Sequence, residues 1–477
     1  MTIRRYARFA LCLTFIFGLA EWNVENLEAE QLTDQQTKGH GSESRNLALV
    51  GFHDLQGRAA YQPIIHRQGN RWIAYVGTHE GAALNPISGL MEGNGTVIVE
   101  VTNPRQPVTL FHIPGQRLEP GKRSHAQMVR VCDIEEQTYL LRSSGRTRHE
   151  IWNVNDPRAP QFVSTVIDGL RDTHKSWWEC DTGIAYIVAG DPAWRMRMTK
   201  IFDLSKPEEP VLVRDFGLVG QEPGSQAEPV PPVIHGPISR ANRVYFAYGT
   251  SRNGVLQMVD RDKLLKGKAS PTAENLLYPQ VGRLDLPPFW GVHTSFPVID
   301  VQISDFGDNL YGRTRDFVIL TSESTRDDCQ EFRHGVFFVD ITEETRPFPV
   351  ASFQVSESSG DFCQRGGRFG PHATNESFTP IYYRRIVFVS YFNAGVRAVD
   401  IRDPFHPREV AFFIPATTEK TEPSCTETEN GIRCKAVIQT NNVEVDDRGM
   451  IYIVDRANTG MHILELTGSA RRIANFP

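Results

Sequence analysis

The stretch EIWNVNDPRAP at residues 150–160 decides the fold class, because the chain returns to its pattern again and again. An apolar strand rich in β-branched and aromatic residues ends in an acidic or amide side chain, and a turn flanked by proline follows. Another apolar strand precedes each copy, and an outer strand follows most of them. Clear copies are VIVEVTNPRQP at 97–107, KIFDLSKPEEP at 200–210, VFFVDITEETRP at 336–347 and VRAVDIRDPFHP at 396–407, and weaker ones are VLQMVDRDK at 255–263 and MHILELTG at 461–468.

Seven copies of one small antiparallel sheet predict an all-β, seven-bladed β-propeller. The period of three to four residues that marks helices is nearly absent, which argues against α/β folds. LALVGFHDLQG at 47–57 resembles an outer strand although it precedes the first inner strand, and the last copy has only a weak outer strand of its own. We therefore expect an N-terminal strand to complete the last blade, with the propeller at 46–470 and a C-terminal tail at 471–477.

The copies resemble the LVIVD-repeat β-propeller family, whose signature is nearly matched by IYIVD at 451–455. The likeness covers roughly residues 46 to 468. It implies the fold but no single activity, because that family hosts several functions. The chain is also similar in general layout to the selenium-binding proteins that act as methanethiol oxidases, which are exported propellers with histidine-lined metal centres.

The N-terminus predicts export to the periplasm or outside the cell. Arg4, Arg5 and Arg8 precede an apolar stretch that suits a signal peptide over 1–20, with cleavage anywhere from 20 to 29, and a disordered lead-in is expected over 21–45. No other apolar run is long enough for a transmembrane segment. Six cysteines remain after removal of Cys12, an even count that suits disulfides, and Cys425 and Cys434 are placed to close one loop.

The formal net charge of −6 and the absence of a basic run exclude nucleic acid as an expected partner. A small-molecule substrate, including an anionic one, and a protein partner both remain open.

One repeat position, at the start of each inner strand, predicts a site on the propeller axis. Five of the fourteen histidines occupy it, and the seven residues in chain order are Tyr61, His125, His174, His235, His293, His372 and Asn442. Converging imidazoles without a thiolate suit copper above all, and also iron or zinc, so the five histidines are predicted metal ligands. The competing interpretation is that each histidine hydrogen-bonds within the blade wall and only orders a loop.

The loops between the second and third strands of the blades lie on the same face as these histidines. Arg197 lies in the same loop as Asp191 and Arg195. The glycine-rich run GGRFG at 366–370, just before His372, suits either a flexible lip to the site or an ordinary turn between blades. Arginine suits carboxylate, sulfate or phosphate groups. The predicted catalytic residues are Glu323, Asp191 and Tyr61, and the predicted substrate contacts are His79, Glu80, Arg146, Arg148, Arg195, Arg252, Arg326, Asn393, Arg456 and Asn442. Pairing among solvated loop tips is the alternative.

Together these features predict an exported propeller with an axial metal site that acts as a metal-dependent oxidoreductase on a small molecule. Hydrolase or lyase chemistry at the same metal is a near neighbour. The alternative is a non-catalytic scaffold that binds a protein or a cell-envelope component, and it predicts wall histidines and an exposed apolar patch. The enzyme hypothesis predicts a narrow polar pocket at the channel mouth.

Overall fold

A computed structural model of the chain describes residues 41–115, 126–303, 313–429 and 431–477. The repeated turns have a local cause in their sequence. Asn103, Asp156 and Asp403 each accept, through the side chain, the N–H of the residue two positions later at 2.9–3.2 Å. The backbone carbonyl of each also accepts the N–H three positions on. This double acceptance is typical of Asx turns, and it reverses the chain between the third and outer strands of a blade.

The strands through blade 3 are, in chain order, β1 (Glu43–Arg45), β2 (Leu47–His53), β3 (Ala60–Gln68), β4 (Arg71–Thr78), β5 (Ala82–Asn85), β6 (Leu90–Gly93), β7 (Thr96–Glu100), β8 (Val108–Ile113), β9 (Val129–Ile134), β10 (Gln137–Ser144), β11 (Arg148–Asn153), β12 (Gln161–Ile167), β13 (Thr173–Trp178), β14 (Ile184–Ala189), β15 (Met198–Asp203) and β16 (Val211–Phe216). The strands that follow are β17 (Ile234–Arg240), β18 (Arg243–Tyr248), β19 (Val255–Asp260), β20 (Gln280–Asp285), β21 (Thr294–Gln302), β22 (Thr314–Thr321), β23 (Val336–Asp340), β24 (Phe348–Phe353), β25 (Ile386–Ser390), β26 (Val396–Asp400), β27 (Arg408–Ile414), β28 (Pro423–Thr428), β29 (Gly431–Ala436), β30 (Thr440–Val445), β31 (Ile451–Asp455) and β32 (Met461–Leu466). The helices are α1 (Arg261–Lys266), α2 (Ala273–Leu277), α3 (Phe362–Arg365) and α4 (Gly468–Arg471).

These strands form seven antiparallel sheets, one for each blade, and the predicted seven-bladed β-propeller is confirmed. Blades 1 to 5 are β3-β4-β7-β8, β9-β10-β11-β12, β13-β14-β15-β16, β17-β18-β19-β20 and β21-β22-β23-β24. Blade 6 is β25-β26-β27-β1, and blade 7 is β30-β31-β32-β2. Apolar side chains pack between neighbouring blades, as Val97 of blade 1 does with Tyr452 and Ile463 of blade 7.

The ring closes as the sequence predicts, because β2 pairs with β32 from Leu47↔Leu466 to His53↔Met461. The N-terminal segment does more than was predicted. Glu43–Arg45, at the end of the expected disordered lead-in, pairs with β27 and adds an outer strand to blade 6. The carboxylate of Glu43 also accepts hydrogen bonds from Arg365. The predicted signal peptide and the lead-in up to residue 40 lie outside the described residues.

Three further segments depart from the simple repeat. The hairpins β5-β6 and β28-β29 extend from the blade 1 and blade 7 loops. The first strand predicted for blade 6 is irregular: its chain around His372 bonds to β25 only through isolated contacts such as Thr374↔Val389. The predicted tail packs on the core through Ile473 and Phe476 instead of extending into solvent.

All six described cysteines are paired, as Cys132–Cys180, Cys329–Cys363 and Cys425–Cys434. The pairing predicted for the last two is confirmed, and three disulfides suit an oxidising compartment. Within the described ranges, no helix has the length and apolar character needed to cross a bilayer.

Adjacent blades meet at one repeated contact. The outer strands of blades 7, 2 and 4 each carry a bulge, next to which stand Gly51, Ser164 and Gly282. Each of these small residues approaches the carbonyl of the proline-turn position in the next blade. Ser164 Oγ donates to Pro207 O at 2.6 Å. A Cβ on Gly51 would lie 1.9 Å from Pro104 O, and one on Gly282 would lie 1.9 Å from Glu344 O.

We predict that Gly51→Ala weakens ring closure, because the added methyl collides with the backbone of blade 1 and forces β2 away. Overpacking of this kind costs about 1–3 kcal/mol. Urea unfolding of Gly51→Ala beside Gly41→Ala tests this, since a Cβ on Gly41 meets nothing within 4 Å. Equal midpoints for the two variants would show that the close approach does not limit stability.

Candidate metal centre

Five side chains from five blades form a closed ring on the axis at one face of the propeller. Their ring centroids are 5.3 Å apart for Tyr61–His174, 4.8 Å for His174–His235, 3.5 Å for His235–His293, 4.3 Å for His293–His372 and 5.5 Å for His372–Tyr61. The histidines of this axial ring therefore face the channel and not the blade wall. Histidines that do lie in the wall, such as His149 and His462, belong to other strands. The predicted ligand His125 lies outside the described residues.

β-Bulges at the start of the inner strands aim these side chains. The pairing register slips between Ala60 and Pro63, and again between Thr173 and Ser176. Two consecutive residues of each bulge thus leave the regular alternation, Tyr61 with Gln62 and His174 with Lys175. A bulge re-aims side chains next to a site.

The corresponding slip in blade 7 falls between Thr440 and Asn442, so Asn441 and not the predicted Asn442 occupies the bulge. Asn441 Nδ2 donates to Tyr61 O at 3.2 Å.

The outer nitrogens of His372 and His174 are anchored, whereas Nδ1 of His235 is buried without a hydrogen-bond partner among the described residues. Nδ1 of His372 donates to the carbonyl of Asn441 at 2.6 Å, and Nδ1 of His174 lies 2.9 Å from Gln127 Oε1. A carbonyl or amide oxygen can only accept, so both Nδ1 atoms carry the proton and both Nε2 atoms present a lone pair. Anchoring of one ring nitrogen while the other faces inward is the arrangement seen in metal-ligating histidines.

The inner nitrogens meet at the axis. Nε2 of His174 lies 3.0 Å from Nε2 of His235 and 3.0 Å from the Tyr61 hydroxyl. Within the described part of the chain, Nε2 of His293 is buried and has no hydrogen-bond partner. Other buried polar atoms of the described residues, such as His462 Nδ1 and Thr440 Oγ1, also lack a partner. What distinguishes His293 Nε2 is its position beside a carboxylate and a second imidazole.

Glu323 supplies a carboxylate beside the ring. Its Oε2 lies 3.9 Å from His293 Nε2, and its Oε1 lies 3.8 Å from His372 Nε2. Arg368 Nη1 donates to Oε1 at 3.1 Å. Burial raises the pKa of Glu323, and Arg368 and Arg456 oppose that shift. The donor atoms of His293, Glu323 and His372 all lie within 4.8 Å of one another.

Burial also sets the charge of the imidazoles. Desolvation holds the pKa of His235, of His293 and of His372 well below the ordinary value of 6.5, and neighbouring cations and histidines add to the effect. These three rings are therefore neutral at pH 7, which is the form that binds a metal ion.

One step further along the inner strands, a buried ionic cluster forms the floor beneath the axial ring. Glu376 accepts from Lys175 Nζ and Arg130 Nη2, and also from Gln62 Nε2 at 3.2 Å. The two cations hold the pKa of Glu376 at about 2, against a burial effect of opposite sign. Because these groups come from four blades, the cluster joins the inner strands below the histidines.

A polar pocket of about 230 Å³ opens above the ring. Of the predicted site residues, it is lined by Tyr61, His79, His174, His235, Glu323, Arg146 and Arg456. His79 joins the network because Gln127 Nε2 donates to its Nδ1 at 2.8 Å. This polar pocket lies at the channel mouth, on the same face as the axial histidines.

Several predicted residues do not line this pocket. The carboxylate of Asp191 is paired with Lys200 at 2.8 Å. Arg148 pairs with Asp168, and Arg195 with Glu228. The buried Asn393 donates to the carbonyls of Phe362 and Gly366. Glu80, Arg252, Arg326 and Asn442 are likewise absent from the lining. The loops differ in how far they extend toward the axis, and the spacing of the strands in the sequence does not reveal this distance.

The pocket also contains residues that the sequence did not single out. Gln127, Asp172 and Arg368 line it. Arg197, which the sequence analysis placed on the same face in the loop after β14, lines it as well. Asp172 accepts from Arg146 at 2.8 Å and from Arg197 at 3.3 Å. The only available signals were the spacing of Asp172 two residues before His174 and the arginine within GGRFG.

No family model and no curated protein sequence matches this chain. Two solved structures of Sqt1 from Chaetomium thermophilum align with 88% of the chain at 10% identity. One has a TM-score of 0.47 with 98% of its own length covered, and the other, bound to the N-terminus of the ribosomal protein L10, has 0.46 with 99% covered. At these values the likeness carries no argument about function. The resemblance to the LVIVD-repeat family stays a prediction.

We predict that the metal-free protein loses stability as the pH falls below 6.5. The unfolded chain takes up protons on these histidines near their ordinary pKa, whereas the folded ring resists protonation, so acid favours unfolding. Each such histidine contributes a slope of about 1.4 kcal/mol per pH unit. Urea unfolding between pH 7.5 and 5 measures the slope.

His235→Gln should make this slope shallower, and His406→Gln, at an exposed position, should leave it unchanged. The same slope in wild type and His235→Gln would contradict the assignment of a buried, neutral ring.

Proposed function

We propose that this chain is an exported metalloprotein that binds one divalent cation on the propeller axis and acts on a small molecule in the pocket above it. His293, His372 and Glu323 would hold the ion, with His174 and His235 as neighbouring donors. The observation that carries this proposal is the buried, unpartnered Nε2 of His293, which faces a carboxylate and a second oriented imidazole.

The donor set fits an ion sterically. Metal–ligand bonds of about 2.1 Å place two ligands of one ion at most about 4.2 Å apart. The imidazole–carboxylate distances of 3.8 and 3.9 Å already satisfy this limit. The whole triad lies within 4.8 Å, so an inward movement of a fraction of an ångström completes the fit.

The carboxylate changes the favoured metal. Imidazoles alone favoured copper in the sequence, but two histidines and one carboxylate with open positions suit iron(II) or zinc. When bound, such an ion supplies Lewis acidity and, if it is iron, a redox centre. Iron would support the oxidoreductase hypothesis, and zinc would support hydrolase or lyase chemistry.

The protein's own groups would position the substrate. Tyr61 presents its hydroxyl at the pocket floor, 3.0 Å from His174 Nε2. Burial, with Glu323, raises the pKa of this phenol far above its ordinary value, so it remains a hydrogen-bond donor at physiological pH. The arginines that line the pocket would orient an acidic group of the substrate.

A second candidate, the binding scaffold, is favoured by one specific observation. Phe289 and Phe332 lie in blade 5 loops on the pocket face, are 54% and 61% exposed, and stack with ring centroids 3.9 Å apart. The β5-β6 hairpin adds exposed apolar side chains, which are Leu84, Ile87, Leu90 and Met91. These residues would suit a protein partner, but they leave the inward-facing histidines unexplained.

Elemental analysis and competition titration with Fe²⁺ and Zn²⁺ test the metal site. We expect near-stoichiometric iron or zinc in wild type and at least tenfold weaker binding in His293→Gln and in Glu323→Gln. His462→Gln is the matched control, because this buried histidine lies outside the axial ring and should leave metal content unchanged. Unfolding curves verify that each variant folds.

No metal after reconstitution, or equal metal content in His293→Gln and His462→Gln, would contradict the metal site and favour the scaffold.

A further inference from the structure

The lining of the pocket holds an imbalance of charge. Four guanidinium groups face it, and two carboxylates, Asp172 and Glu323, accompany them. Asp172 pairs with Arg146 and Arg197, and Glu323 pairs with Arg368. Four guanidinium groups against two carboxylates leave a formal excess of two positive charges, and Arg456 is the one of the four that forms no ion pair with Asp172 or Glu323.

The excess positive charge is greatest around Arg456, which has no carboxylate partner of its own in the described part of the chain. It is half-buried, and among the described residues no side chain forms a hydrogen bond or ion pair with it. Its guanidinium carbon lies 6.0 Å from the centre of the Phe392 ring, and that of Arg368 lies 5.4 Å from the same ring. Two pocket-lining arginines from different blades thus lie close to one aromatic ring.

The proximity of Arg368 to Arg456 is electrostatically unfavourable, and the carboxylate of Glu323 nearby opposes this effect. Burial lowers the pKa of Arg456 to about 10, and the nearby Arg368 adds to the shift. Buried charges in proteins are normally paired, because removal from water is costly without a partner. A bound anion would supply that partner to both guanidinium groups.

The size of the pocket limits the anion. A volume of about 230 Å³ is below the usual ~300–1,000 Å³ of pockets for drug-sized ligands. The acidic group would lie near the metal donors, because Arg368 bonds to Glu323, which faces both His293 and His372.

From this arrangement we infer that the pocket binds a small dianion of the phosphate, sulfate or dicarboxylate class, held between Arg368 and Arg456 with Arg197 opposite. This inference deepens the proposed function by naming its substrate class. It rests on the proposed function only for the statement that the bound dianion reacts at the metal. The arginine clamp itself is built by the chain and does not require the ion.

Calorimetric titration with inorganic phosphate and with malonate, on metal-free and metal-loaded protein, tests the clamp. We expect at least one of the two probes to bind both forms of the wild type, while chloride at the same ionic strength does not compete. Arg456→Gln should weaken binding about 10- to 100-fold, as expected for a lost charge-assisted pair. Arg252→Gln removes a charge from an exposed loop on the same face and should have no effect.

The outcomes separate this inference from the metal site. Arg456→Gln that folds, keeps its metal and loses the anion supports the clamp, and Arg197→Gln should show a smaller loss. Anion binding that needs the metal and is unchanged in Arg456→Gln would overturn the clamp while leaving the metal site intact.

Failure of both probes on metal-loaded wild type would overturn the dianion class. A variant that binds neither metal nor anion although its unfolding curve is normal would contradict the separation of the two sites.

Discussion

Closure of the ring by β2 is the constraint on which the rest of the structure depends. Seven twisted sheets surround an axis only if the last blade is held to the first, and pairing of Leu47–His53 with Met461–Leu466 makes that connection. Once the ring is closed, the inner strands of all blades converge, and residues at equal repeat positions meet at the centre. The close approach of Gly51 to the turn of blade 1 shows how tightly this joint is built. Neighbouring side-chain rings on the axis lie 3.5 to 5.5 Å apart. Closure of the propeller is what brings Tyr61 and His372 together, because these two residues are 311 positions apart in the chain.

The fold was largely readable from the sequence because one pattern recurs seven times and carries its own turn chemistry. The Asx turns at Asn103, Asp156 and Asp403 are local, so a single copy already specifies them. The strand at Glu43–Arg45 was missed because its pairing with β27 joins segments far apart in sequence, and a three-residue strand has no periodicity of its own.

Four axial histidines were found through their repeat position. Arg368 and Asp172 were not found, because membership of a pocket depends on how far each loop reaches after folding. The bulges that point Tyr61 and His174 inward likewise insert residues without a distinct sequence signal, and for that reason Asn442 was chosen in place of Asn441.

The two candidate functions make different use of the same face. A partner protein would be recognised by exposed apolar loops such as the Phe289–Phe332 pair, where burial of apolar area provides the driving force. The pocket above the axial ring has the opposite character: its lining is polar, and it includes four arginines and the imidazoles of His79, His174 and His235. Protein contact alone gives no physical reason to desolvate several imidazoles beside a carboxylate. The proposed cation would resolve this arrangement directly, because it would pair with the Glu323 carboxylate and bind the imidazoles of His293 and His372. The ionic floor of Lys175, Arg130 and Glu376 then keeps the inner strands in register beneath the site.

The central claim is that the closed propeller builds a metal site on its axis, and anomalous diffraction tests it most directly. Crystals of the mature protein grown with iron(II) or zinc would be measured above and below the absorption edge of the metal. Our account predicts a single strong anomalous peak about 2.0–2.2 Å from the Nε2 atoms of His293 and His372, with a Glu323 oxygen completing the set. The absence of an axial peak, with the four imidazoles hydrogen-bonded only to one another and to water, would contradict it.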